Sequence, residues 1–105
     1  MYKISLITGD GIGPELSESA ISVLNTINEK FDLKFEITKL SAGDKALEET
    51  GKALPENVID IIKNSDVCLK APVGESAADV IVVLRRVLDL YANIRPAKSY
   101  PHMPA

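Results

Sequence analysis

Ile4-Ser5-Leu6-Ile7-Thr8-Gly9-Asp10-Gly11-Ile12-Gly13-Pro14-Glu15 is the stretch that decides the fold. Residues 4–8 form a short, β-branched, apolar run without alternation, the pattern of a strand covered on both faces and hence of a parallel sheet. Gly9 halts it. The turn 9–13 then brings Pro14 to the first position of a helix, where its missing N–H costs nothing, and Glu15 to the positive end of the helix dipole. Strand, glycine turn and helix in direct succession open a βαβ arrangement.

Outward from this unit, Leu16, Ala20, Val23, Leu24, Ile27 and Phe31 fall on a 3.6-residue stripe, with Ser17, Glu18, Ser22 and Glu29 largely off it. The helix is expected to cover the sheet with that apolar face. Leu33, Phe35 and Ile37 alternate with Lys34, Glu36 and Thr38, which predicts a strand over 33–40 with one wet face, near a sheet edge. After Ser41-Ala42-Gly43-Asp44 a short helix runs through Glu49 and stops at Gly51. Pro55-Glu56 opens another, with Val58, Ile59, Ile61 and Ile62 inward. Residues 67–71 read as a third strand, 72–76 as a loop, 77–88 as a helix apolar on most sides, and 90–94 as a last strand ending at Pro96. This alternation predicts an α/β fold, a mainly parallel sheet with flanking helices. No repeat or low-complexity linker divides the chain.

The 105 residues are 46% hydrophobic and 26% charged, with six Gly and six Pro, a composition that suits one folded domain with a modest core. The net charge of −3 is spread along the chain and leaves no electrostatic footprint for nucleic acid, so a small-molecule partner is expected. The start shows no charged and then apolar leader, and no apolar run approaches the length of a bilayer; no membrane partner and a cytoplasmic location are the expectation. Cys68, between Val67 and Leu69, reads as a small buried thiol, and His102 as an exposed residue of a Pro-rich stretch. One Cys and one His cannot complete a zinc set.

Two segments could carry chemistry. The glycine turn lies where α/β sheets present backbone amides to ligands. A dinucleotide fingerprint would need its third glycine at position 14, which Pro14 occupies, and no P-loop lysine follows. On spacing alone, a tight turn with no ligand accounts for it equally well. The second segment is Leu84-Arg85-Arg86-Val87-Leu88-Asp89-Leu90-Tyr91-Ala92-Asn93-Ile94-Arg95-Pro96-Ala97-Lys98. Arg85, late in one helix, and Arg95, at the end of the next expected strand, can converge on one cleft, where guanidinium forks suit carboxylates. Pairing with surface acids such as Glu75 or Asp89 is the blander account, and on spacing alone the stronger one.

The glycine-turn motif and the arginine segment together resemble the β-decarboxylating dehydrogenases, the isocitrate/isopropylmalate dehydrogenase family, and the resemblance covers essentially the whole chain. It implies that residues 1–105 are the amino-terminal part of an incomplete first domain in a two-domain enzyme. It implies NAD and a divalent metal, Mg2+ or Mn2+, a small dicarboxylate 2-hydroxy acid as substrate, and a homodimer or higher homo-oligomer. By motif position, Arg85 and Arg95 match substrate-binding arginines, while Val73, Gly74, Glu75 and Ser76, with Ile12 nearby, match the loop lining the nicotinamide side of the cofactor. That loop is shorter here than in many members. Tyr91, Lys98, Asp10, Asp79 and Asp89 match neither the family's acid and base nor its metal ligands, so no catalytic or metal residue is assigned and the chain alone is expected to be inactive.

Ile81 and Val82, four and three residues before Arg85, lie on its side of the helix and should meet the variable arm of the substrate. With Ala78 they form an apolar wall, whereas isocitrate enzymes of the bacterial type carry small polar residues there. A carboxylate buried against such a wall would lack compensation. The expected substrate is therefore 3-isopropylmalate, converted to 2-oxoisocaproate in leucine biosynthesis. Isocitrate or homoisocitrate, packing of Ile81 and Val82 in the core, and a carboxylate-binding module without chemistry are the alternatives.

Overall fold

The computed structural model describes residues 1–104. Strand β1 (Tyr2–Ile7) lies between β2 (Phe35–Leu40) and β3 (Val67–Lys70), both parallel to it, in the order β2-β1-β3. Its neighbours take hydrogen bonds on both sides and helices cover both faces, so Ile4, Ser5, Leu6 and Ile7 are all buried. That double burial is why the strand reads as an unbroken apolar run.

Register sets Leu6 beside Leu69 on one face and Ile7 beside Leu40 on the other. Helix α1 (Gly13–Phe31) lies over the Leu6 face. Under the Ile7 face, Leu40, Leu54, Val58, Ile62, Val80 and Leu84 close the main core, supplied largely by α3 (Glu56–Lys63) and α4 (Ala77–Val87). The short α2 (Asp44–Thr50) ends at Gly51, whose N–H donates to the Leu47 carbonyl at 2.9 Å, as its sequence anticipates. Buried Ser5 finds its partner in the Ser65 hydroxyl, which in turn donates to the Ile61 carbonyl at 2.8 Å. Edge strand β2 keeps the anticipated alternation over Phe35 to Thr38, with Phe35 and Ile37 half-buried and Glu36 and Thr38 exposed, but it starts two residues later than expected and Leu33 is exposed outside it.

Four further expectations are corrected. The inward line of α1 runs through Gly13, Ser17, Ala20, Ile21 and Leu24, while Leu16 and Val23 are 47% and 59% exposed and Phe31 is exposed too. Gly13 explains the rotation: a side chain there would collide with the carbonyls of Thr8 and Pro72, so the helix start docks glycine-first against the turn, and the positions four and seven or eight residues on follow inward. In α3, Val58 and Ile62 are buried and Ile59 half-buried, but Ile61 is exposed, because four of five consecutive helical positions cannot face one way. Cys68 is half-buried against the core, and its desolvation pushes the thiol up, with Lys70 pulling weakly the other way. Residues 90–94 form no strand: Leu90 and Tyr91 are exposed and Ile94 is 84% exposed. A strand exists only by pairing, and among the described residues β3 pairs with β1 alone. His102 is exposed, as expected.

Ser17 is buried with a hydroxyl that finds no partner among the described residues, whereas Leu6 is fully buried in the central strand. Ser17→Ala is therefore expected to stabilise the protein by up to about 1 kcal/mol, by removing a buried donor with no bond to lose. Leu6→Ala is expected to cost about 2–5 kcal/mol. Urea denaturation followed by circular dichroism measures both, and a Ser17→Ala midpoint below that of the wild type would contradict the first.

Candidate functional site

Because the strands are parallel, the segments after β1, β2 and β3 leave the sheet at the same edge, and their amides no longer have a ladder to bond. Two carboxylates take them up. Asp10, in the glycine turn, accepts the N–H of Asp44 (2.8 Å) and of Lys45 (3.2 Å) at the start of α2, and the N–H of Gly74 (3.0 Å) in the loop before α4. Asp44 in turn accepts the N–H of Glu75 (3.1 Å) and of Ser76 (2.9 Å) and the Ser76 hydroxyl (2.6 Å). The Asp10 N–H closes the circuit on the Pro72 carbonyl at 2.9 Å. Gly74 is required for this approach, since a methyl group there would overlap the Asp44 carboxylate.

Both carboxyls lie below the ordinary aspartate value. Partial burial at Asp10 opposes ionisation, but the N–H groups of Gly74, Asp44 and Lys45 together outweigh it, and the Asp44 charge pushes back. At Asp44 the Ser76 hydroxyl contributes most, followed by the Ser76 N–H, against a smaller desolvation penalty.

The structure thus joins the Val73, Gly74, Glu75 and Ser76 loop to the glycine turn. Val73 packs against the core, Ser76 is buried, Gly74 and Glu75 are exposed, and Ile12 projects from the turn, 62% exposed. The amides of Gly74, Glu75 and Ser76 are all engaged within the chain, as are those of Asp10 and Gly13 in the turn. What residues 74–76 offer a ligand is therefore side chains and Cα atoms, with a carboxylate behind them.

The arginines lie farther along. Arg85 is half-buried in the last turn of α4, and Arg95 is exposed on the extended segment beyond it. Neither takes part in an ion pair among the described residues, where the pairs are Lys39–Glu18 (2.8 Å) and Lys52–Glu56 (3.4 Å). The blander account of these arginines, pairing with Glu75 or Asp89, is not what the structure has. On α4 the core takes Val80 and Leu84, leaving Ile81 half-buried and Val82 47% exposed on the side of Ala78. Among the described residues no cluster of three or more His, Cys, Asp or Glu side chains is placed to hold a metal.

The roles of Asp10 and Asp44 escaped the reading of the sequence. A visible signal was the pair Gly9-Asp10 and Gly43-Asp44, each a glycine and an aspartate following a strand.

An open parallel α/β domain with its loops tied together at the carboxyl edge of the sheet is the class this chain defines. Its residues 3–105 match the family model for isocitrate/isopropylmalate dehydrogenase, and the chain belongs to that family. It is 52% identical over 100 residues to the 3-isopropylmalate dehydrogenase of Sulfurisphaera tokodaii, covering 95% of this chain and 30% of that protein. The 3-isopropylmalate dehydrogenase of Saccharolobus solfataricus is 47% identical over 102 residues, with 97% and 30% covered. Among solved structures, isocitrate dehydrogenase from Methylococcus capsulatus superposes with a TM-score of 0.66 at 37% identity, over 87% of this chain and 27% of that one. The TT0538 protein of Thermus thermophilus gives 0.70 at 33% identity, over 98% and 21%. The chain spans about 30% of the length of the curated relatives it matches.

The lowered carboxyls give an acid-stability test. A group whose folded value lies below its unfolded one contributes its full stability above the ordinary 3.8 and loses it as pH falls through the folded value. Thermal melting of the protein should hold steady from neutral pH to about pH 5 and decline below about pH 4. Asp10→Asn and Asp44→Asn should lower the plateau and flatten the decline; variants keeping the wild-type slope would show that these carboxylates do not contribute to it.

Proposed function

We propose that this chain is the amino-terminal part of the first domain of an NAD-dependent 3-isopropylmalate dehydrogenase, a cytoplasmic homo-oligomer that oxidises and decarboxylates 3-isopropylmalate to 2-oxoisocaproate in leucine biosynthesis. The observation that carries the reading is the surface of α4, where Ala78 and exposed Val82 precede an Arg85 with no ion-pair partner among the described residues. The names borne by the relatives at 47–52% identity support the same substrate.

In this reading Arg85 and Arg95 grip the carboxylates of the malate portion and fix its orientation by paired, charge-assisted bonds. Ile81 and Val82 receive the isopropyl group. A third carboxylate in its place would be desolvated with no donor facing it and with Asp79 one turn away. The loop of Val73, Gly74, Glu75 and Ser76, with Ile12, forms the wall beside the nicotinamide, for which its inward-turned amides and exposed apolar atoms are suited. When bound, NAD takes the hydride and Mg2+ or Mn2+ stabilises the negative charge left as carbon dioxide departs. Metal ligands, acid and base belong to other parts of the enzyme, so the 105 residues alone do not turn the substrate over.

In the complete enzyme, assayed by NADH formation with Mg2+, Arg85→Ala should lower kcat/KM for 3-isopropylmalate by at least about a hundredfold, the loss of two charged hydrogen bonds at about 1.5 kcal/mol each. Val82→Arg should abolish 3-isopropylmalate turnover, and unchanged kinetics would move the specificity site elsewhere. Calorimetry on the isolated chain separates the rival class: appreciable binding of 3-isopropylmalate without metal or cofactor favours a carboxylate-binding module.

A further inference from the structure

We propose that Asp44, itself held by Asp10, is the positioning residue of the cofactor wall: it fixes the loop from Gly74 to Ser76 in the shape that receives the nicotinamide ring, an inference that rests on the dehydrogenase reading above. Three donors from the loop converge on the one carboxylate, the N–H of Glu75, the N–H of Ser76 and the Ser76 hydroxyl, at 3.1, 2.9 and 2.6 Å. The backbone that carries Asp44 is itself anchored, because its N–H donates to Asp10 at 2.8 Å, and the same Asp10 oxygen receives the Gly74 N–H at 3.0 Å. Loop, glycine turn and α2 therefore move as a unit, and both sides of the proposed nicotinamide pocket are fixed from behind by the same pair of carboxylates. A loop held in its binding shape before the ligand arrives loses less freedom on binding, which improves affinity for the cofactor in particular. Glu48, Glu75 and Asp79 face the same open hollow as Asp44 and Ser76, and among the described residues no cationic side chain lines it.

A merely structural role predicts a different outcome from a positioning one. Asp44→Asn replaces one acceptor oxygen by an NH2 group that cannot receive the loop amide opposite it. In the complete dehydrogenase this should raise the NADH dissociation constant, read by fluorescence titration, and the KM for NAD roughly tenfold, while kcat and the KM for 3-isopropylmalate stay within about twofold. Amide exchange of Gly74, Glu75 and Ser76 should quicken. Ser76→Ala, which removes a single bond and spares the fold, should raise the same two constants by roughly twofold to threefold. Glu48→Gln, which lines the hollow without bonding the loop, should change neither. If Asp44→Asn does not fold, Ser76→Ala decides. Dinucleotide binding unaltered in these variants, or a uniform loss in kcat and both KM values together with a lowered melting temperature, overturns the proposal. A wild-type enzyme that binds no dinucleotide overturns the functional reading as well, so the two failures are told apart.

Discussion

Parallel strands end with all their loops on one side, and the backbone amides of those loops have no ladder to receive them. In this chain the constraint is met by charge. Asp10 and Asp44 each accept three donors, drawn from the segments that follow β2 and β3, while Asp10 itself lies in the turn after β1. Hydrogen bonds to an ionised acceptor are roughly twice as strong as neutral ones, so two small side chains hold an edge that would otherwise need a larger buried interface. Gly13 and Gly74 belong to the same solution, one letting a helix start dock against the turn and the other leaving space for a carboxylate. The exposed wall of Ile12, Gly74 and Glu75 is the outer surface of this arrangement.

What the sequence made legible was local. The burial of β1 on both faces, the alternation of β2 from Phe35 on, Pro14 at the helix start and Gly51 at a helix end are each set by residues within a few positions. The rotation of α1 was not legible, because the apolar stripe through Leu16 and Val23 competes with a docking contact at Gly13 that depends on Pro72. The 90–94 segment is apolar enough for a strand, but pairing is a property of the neighbour and not of the segment. The carboxylate relay joins residues 31 to 64 positions apart, beyond any periodicity, and only the two Gly-Asp pairs hint at it. At the site, the arginine segment was readable as a motif, while the exposure of Val82 and the absence of ion pairs at Arg85 needed coordinates.

Helix α4 also sorts charge along its length. Asp79 occupies its first turn, next to Asp44, Glu48 and Glu75, and Arg85 and Arg86 occupy its last, which complements the helix dipole at both ends. Asp79 and Arg85 lie about 9 Å apart along the helix axis, close to the screening length of about 8 Å at physiological salt, so the surface between them feels both. On the function proposed above, the basic end would meet the carboxylates of the substrate, and the acidic end would disfavour an anion at the first turn. Between them lie Ala78 and Val82, with no donor on that surface. An anion placed there would be drawn toward Arg85 but repelled by Asp79 and deprived of water, whereas a branched alkyl group gives up only its own contact with solvent. On the function proposed above, selection of an apolar substrate would follow from where the charges on one helix are missing as much as from where they are present.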